Sequence, residues 1–336
     1  MIRDTLPDDL KDYYNDLDNT FWDYDKVECL EKKIGLLGLY TRYLYKLPDA
    51  YEVLGKKDDI FIYHYSQKKI RPTIICSPIL GGKMKITDSG RWKGFFPIAK
   101  MNAWFFSIFK RWNVLIVCTD NNALFADAET PEKFELSLKN IAYNNIQALQ
   151  YIKTLPETDK NKIYALGVSL GAITMCCITG IDDSIKAAAL VLGGGPLSPV
   201  ISKSVENGVR EFFERLKKNL NADDETVKEA LMISIKSDPI RLGYYIPDDT
   251  AFMILSECDI SVSTACQKIL LEVVKPKRYF INKIPKLFQW LSWFKGKPGF
   301  LDKISKLKNG HYITAVLYPI LLIMTLLFFH EKRHCK

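Results

Sequence analysis

The sequence predicts an α/β protein: a doubly wound, mostly parallel sheet with a helical cap inserted into it. Three observations carry that expectation. Short apolar runs alternate with longer helix-like stretches, the pattern of strands buried on both faces and joined by crossover helices. A Gly-x-Ser-x-Gly pentapeptide, Gly167-Val168-Ser169-Leu170-Gly171, lies between one such run and one such stretch. A helical stretch then interrupts the alternation over residues 199–247. With 336 residues, 48% hydrophobic and 26% charged, the chain has room for a large core, and nothing in it suggests disorder or internal repeats.

Taken in order, residues 1–47 read as a polar and then helical extension, with Leu30, Ile34, Leu37, Tyr40, Tyr43 and Leu44 on one face. The first part of the core follows over 48–198. Tyr51–Leu54 and Ile60–Tyr65 flank Gly55–Asp59 in a hairpin pattern. Thr73–Ser77 is a continuous apolar run behind Pro72 and reads as a buried strand. Trp104–Phe109 fits a helix with an aromatic face, and Val114–Cys118 a second buried strand. Pro131 opens a long helix that Leu155 and Pro156 close. Lys162–Leu166 reads as a strand, Ala172–Ile178 as a helix, and Lys186–Leu192 as a strand.

The cap over 199–247 shows Phe212, Phe213, Leu216 and Leu220 on one face of a helix. A second helix starts at Asp223-Asp224-Glu225 and ends before Ser237-Asp238-Pro239. The second part of the core, 248–336, begins with Phe252–Leu255, which reads as the last strand. It contains a basic, aromatic insert over about 275–308. Lys275–Lys308 holds ten Lys/Arg against the single acid Asp302, so that it carries +9 of a net charge of +8. Charge confined to one insert, without a recognised module, argues against a nucleic-acid partner. Ile284–Lys295 mixes tryptophans and phenylalanines with lysines, and Tyr312–Phe329 is uncharged. Residues 284–295 and 312–329 are therefore the two candidates for peripheral membrane contact. An apolar helix of the second kind also finds cover on the sheet or in a homo-oligomer. The N-terminus has no apolar leader, and the eight cysteines show no Cys-x-x-Cys spacing. These features predict a cytoplasmic protein with reduced thiols and neither metal nor cofactor.

A serine on a tight strand-to-helix turn is held in a strained conformation that exposes its oxygen. To act as a nucleophile it needs a base, and the base needs an orienting acid. The chain has four histidines, His64, His311, His330 and His334. Only His311, in Asn309-Gly310-His311-Tyr312, is both downstream of Ser169 and on a predicted loop. For the acid, Asp259 lies just beyond the strand 252–255, with Glu257 as its rival and Asp238 and Asp248 as weaker candidates. Pro78-Ile79-Leu80-Gly81-Gly82 follows the strand 73–77 and can aim a backbone N–H at a tetrahedral oxyanion. The N–H of Leu170 supplies the second donor.

From about residue 50 onward the chain resembles the α/β-hydrolase superfamily of serine esterases, lipases and peptidases. The resemblance rests on Ile74–Gly82, Gly167–Gly171, Met253–Asp259 and Gly310-His311-Tyr312, in the chain order Ser169, Asp259, His311. It implies Ser169 as nucleophile, Asp259 as orienting acid and His311 as base. The oxyanion donors would be Leu170 and Leu80, or Ile79 beside it. The chain departs from the superfamily pattern in having Pro78-Ile79 where many members have His-Gly. Its interval from Asp259 to His311 is also longer than usual. The expected activity is hydrolysis of a carboxylic ester, or a related thioester or amide, through an acyl-enzyme. The substrate would be a small-molecule or lipid-like acyl compound, and acyl transfer is the variant on the same site. The alternative is a catalytically silent protein of this fold that works as a binding or scaffold protein at a membrane surface.

Overall fold

The computed structural model describes residues 2–16, 24–48, 59–80, 83–86, 92–118, 123–283 and 318–334. The strands are β1 (Glu28–Ile34), β2 (Thr41–Leu47), β3 (Ile60–Ser66), β4 (Arg71–Ser77), β5 (Lys83–Ile86), β6 (Trp92–Phe95), β7 (Asn113–Cys118), β8 (Thr158–Val168), β9 (Ile185–Val191), β10 (Ala251–Ser256) and β11 (Arg278–Asn282). The helices are α1 (Asp8–Tyr14), α2 (Pro97–Phe105), α3 (Ala123–Ala126), α4 (Pro131–Thr154), α5 (Leu170–Ile181), α6 (Leu197–Lys203), α7 (Asn207–Leu220), α8 (Asp224–Ser234), α9 (Pro239–Gly243), α10 (Thr264–Val274) and α11 (Tyr318–His334).

Among the described residues one sheet of nine strands runs in the order β1-β2-β3-β7-β4-β8-β9-β10-β11. Its first three pairings are antiparallel and the remaining five are parallel. The central strands are buried along their length, as their unbroken apolar runs require. Helices cover both faces. Leu10 and Tyr14 of α1, Ile146 and Leu149 of α4, Met175 and Ile178 of α5 and Leu270 of α10 pack on one side. On the other, Ala99 and Ala103 of α2 meet Leu321, Leu322, Phe328 and Phe329 of α11, where Phe329 stacks on Tyr164 of β8 at 5.0 Å. The long helix α4 starts as Pro131 implies, with Thr130 accepting from the Lys133 N–H.

Three expectations need correction. Residues 28–34 and 41–47 are antiparallel strands, so among the described residues the helical reading of 1–47 holds for α1 and two 3₁₀ turns, Tyr24–Lys26 and Leu36–Gly38. The buried positions of β2 are Thr41, Leu44 and Leu47, a three-residue spacing that imitates a helix. The strand 252–255 is not the last: β11 pairs with β10 in parallel. Its range falls inside the stretch read as a basic insert, so the first part of 275–308 is a sheet edge. The hairpin arm Tyr51–Leu54, the aromatic segment 284–295 and residues 312–317 lie outside the described residues. The rest of 312–329 belongs to α11, whose inner face lies on the sheet while Ile320, Ile323 and Leu327 stay exposed. No helix among the described residues is long and apolar enough to cross a membrane.

Residues 197–243 are helical, as the sequence implies. The inner faces of α6, α7 and α8 join α3, α4 and the start of α5 in a separate cluster built on Phe125, Phe134, Phe212 and Phe213. Phe134 and Phe212 stack at 4.8 Å. Arg215 of α7 donates to the carbonyls of Phe125 and Ala128, which fastens this helical layer to the segment leading into α4.

Candidate active site

The strand β8 ends at Val168 and α5 begins at Leu170, so Ser169 alone makes the turn. Its φ of 55° and ψ of −123° lie where an L-residue is strained. The turn is held from both sides. The Ser169 N–H donates to Val191 O at 2.8 Å, and the Ser169 carbonyl accepts from Ala172 and Ile173. The two glycines of the pentapeptide are required by close approach. A Cβ on Gly167 would sit 2.1 Å from Gly171 O, and one on Gly171 would sit 2.5 Å from Ser77 O. Neither neighbour is a movable side chain, so β8, α5 and the end of β4 meet here only without side chains.

Ser169 is partly exposed, and no described residue hydrogen-bonds its Oγ. It opens on a cavity of about 50 Å³, room for about three or four water-sized groups. Leu170 and Ile173 of α5, Phe134 of α4 and Leu197, Ile201 and Val209 of the helical layer form its apolar wall. Leu80, beyond β4, and Leu170 both border it. The Leu170 N–H, at the first position of α5, has no acceptor within the helix, and a helix N-terminus favours developing negative charge. Gly81 and Gly82 lie outside the described residues.

The turn after β10 reaches the same cavity through Ser261 and Val262. Within it Asp259 is buried. Its Oδ1 accepts from the N–H groups of Ser261 (2.9 Å) and Val262 (3.0 Å), and its Oδ2 from Nε2 of Gln267 (2.7 Å). Gln267 in turn accepts the Ser256 N–H at 2.9 Å, tying α10 to the end of β10. Glu257, the rival, is half-buried, and its Oε2 has no partner among the described residues. Asp238 is otherwise engaged. It accepts from Leu197 N (2.7 Å) and Ile240 N (3.0 Å), joining the starts of α6 and α9, and burial pushes its carboxyl up.

His311 lies outside the described residues. His64, by contrast, is fully buried in β3 beside Tyr43 and Tyr45, and His330 lies exposed on α11. Neither borders the cavity at Ser169. Glu206, at the start of α7, also lines the cavity, and no feature of the sequence signals it. It carries no motif and meets Ser261 across 55 positions of chain. Among the described residues no group of three or more His, Cys, Asp or Glu side chains is placed to hold a metal ion.

No protein-family profile matches the chain, and no curated protein matches it in sequence. Solved structures do match. Acetyl xylan esterase 1 from Thermoanaerobacterium sp. JW/SL YS485 superposes with a TM-score of 0.60 at 12% identity, over 84% of this chain and 89% of that one. An acetyl xylan esterase from Paenibacillus sp. R4 gives 0.61 at 12% identity, over 86% and 94%. The sheet order, the parallel half, the helices on both faces and the strand–serine–helix turn agree with these likenesses, and the chain has the α/β-hydrolase fold.

Proposed function

We propose that the chain is a serine hydrolase that cleaves carboxylic esters of short acyl groups through an acyl-enzyme. The observation that carries this reading is Ser169. It sits on a strained turn, its oxygen meets no acceptor or donor among the described residues, and it opens on a small apolar cavity that the Asp259 turn also borders. The two similar structures being acetyl xylan esterases supports an ester of a small acyl group.

In this mechanism His311 takes the proton of Ser169 Oγ as the oxygen attacks the carbonyl carbon. The negative charge on the tetrahedral intermediate is met by the N–H groups of Leu170 and Leu80. Collapse breaks the bond to the leaving alcohol, which receives the proton from His311. Water then attacks the acyl-enzyme, gives its proton to His311, and releases the carboxylic acid as Ser169 recovers its hydrogen. Asp259 orients the imidazole and offsets its charge. The layer α6–α8 acts as the cap, and its inner wall limits the length of the acyl group.

Fluorophosphonate labelling of the pure protein tests this. Wild type is expected to be labelled and to hydrolyse p-nitrophenyl acetate, and Ser169→Ala to do neither. A folded wild-type protein that is neither labelled nor active on short-chain esters would leave the silent binding protein as the better reading.

A further inference from the structure

Within the esterase reading above, we propose that Glu206 selects substrates by charge, so that the preferred short acyl group carries a cationic nitrogen and acyl groups ending in a carboxylate are turned away. Among the described residues that line the cavity at Ser169, the polar side chains besides the serine itself are Ser204, Glu206 and Ser261. They form one polar corner. Ser261 Oγ donates to Glu206 Oε1 at 2.7 Å, and the Glu206 N–H donates to Ser204 Oγ at 3.3 Å.

Glu206 stands at the N-cap of α7, yet its side chain makes no cap hydrogen bond to that helix. It turns instead toward Ser261 and the cavity. Among the described residues no Lys or Arg borders the cavity, and none pairs with Glu206. Arg210, one turn along α7, gives its guanidinium to Asn207 Oδ1 at 3.2 Å. Among the described residues the corner therefore holds a half-exposed carboxylate with hydroxyl neighbours and no cation, bordering an apolar cavity. An ammonium on the acyl chain supplies the missing positive charge and can donate to Glu206 Oε2. A second carboxylate would meet like charge with nothing to offset it. A purely structural role explains the contact to Ser261, whose N–H also braces Asp259, but predicts no dependence on substrate charge.

The test uses p-nitrophenyl esters of butyrate, β-alanine and succinate, with spontaneous hydrolysis subtracted. Butyryl and β-alanyl groups have nearly the same shape and differ in charge. Wild type is expected to show kcat/KM at least tenfold higher for β-alanyl than for butyryl, with succinyl the poorest. In Glu206→Gln the acceptor for Ser261 remains while the charge is gone, and the β-alanyl to butyryl ratio is expected to fall close to one. In Ser261→Ala, which keeps the charge, the preference for β-alanyl is expected to persist. A wild-type ratio near one, or the same ratio in wild type and Glu206→Gln, overturns the charge selection while leaving the esterase reading intact. Absence of turnover on all three esters together with absence of Ser169-dependent labelling overturns that reading, and this inference with it. Where Glu206→Gln fails to fold, Glu206→Ala and Glu206→Ser take its place in the comparison, and a wild-type ratio near one overturns the charge selection without any variant.

Discussion

The turns that end β8 and β10 border one cavity, yet they are built on opposite principles. The β8 turn concentrates strain on one residue. Ser169 has a φ of 55°, the glycines on either side have no space for a Cβ, and its Oγ has no partner among the described residues. The β10 turn also contains a residue with positive φ, Cys258 at 62°. Its carboxylate, however, is held by three donors from Ser261, Val262 and Gln267. Thr264 Oγ1 adds a link, donating to Ser256 O at 3.0 Å and accepting the Asp259 N–H at 3.2 Å. A group that must form a bond is left unsatisfied on a rigid support. A group that must only orient a neighbour is fixed by its own loop. The difference is what nucleophile and orienting acid need.

The largest effect should come from removing the unsatisfied oxygen. Ser169→Ala is expected to lower kcat for ester hydrolysis by a factor on the order of 10⁴ or more, while the melting temperature stays close to wild type. Loss of folding along with activity would mean that Ser169 supports the turn more than it reacts. Next comes the satisfied carboxylate. Asp259→Asn puts an NH₂ group where one of the two carboxylate oxygens now accepts, and removes the charge that balances an imidazolium. Activity should fall by a factor of roughly 10²–10⁴, with labelling slowed in parallel. Glu257→Gln at the same strand end should change little. A reversal of these two results would move the acid to Glu257 and break the contrast between the turns.

The backbone of the elbow gives the third test. Gly171→Ala forces a Cβ against Ser77 O, a backbone atom of the neighbouring strand end. Stability is expected to fall by about 3 kcal/mol, read by urea denaturation, with activity lost even in the folded fraction. A silent substitution would show that β4 and α5 can separate, and that the strain at Ser169 is not imposed by its surroundings.

What could be read from the sequence follows the same division between local and distant contacts. Strands β4, β7, β9 and β10 were legible because both faces are buried and their residues are apolar without interruption. The serine turn was legible because its signature lies within five consecutive residues, although Ser77 and Val191 also hold it. The edges were not. In β1 every residue is exposed or half-exposed, so no alternation marks it. In β2 the spacing of Thr41, Leu44 and Leu47 points to a helix. β11 hides in a basic run because only Asn282 at its end is buried. The corner formed by Ser204, Glu206 and Ser261 could not be read at all. It exists only because the start of α7 meets the turn after β10, and nothing local to Glu206 announces a partner 55 residues away.

The smallest expected effect concerns His64, and it keeps the site's own titration separate from that of the fold. Among the described residues neither ring nitrogen has a hydrogen-bond partner, Glu157 Oε1 standing 4.0 Å from Nδ1, and burial outweighs that carboxylate and lowers the pKa from 6.5 to about 3. Above pH 6.5 the imidazole is neutral whether the chain is folded or not, and its contribution to stability is fully present. As pH falls below 6.5 the unfolded chain takes up a proton that the folded chain refuses. Stability is lost by about 1.4 kcal/mol per pH unit on the way toward 3, or about 2 kcal/mol at pH 5. Urea unfolding from pH 7.5 to 5 should show this slope in wild type and a shallower one in His64→Leu, which fills the same space without a titrating group. If activity falls along the same pH curve in both proteins, its acid limb belongs to the base that serves Ser169. If the activity curve of His64→Leu follows the flattened stability curve instead, the acid limb reports partial unfolding. The pH profile would then say nothing about the contrast between the two turns.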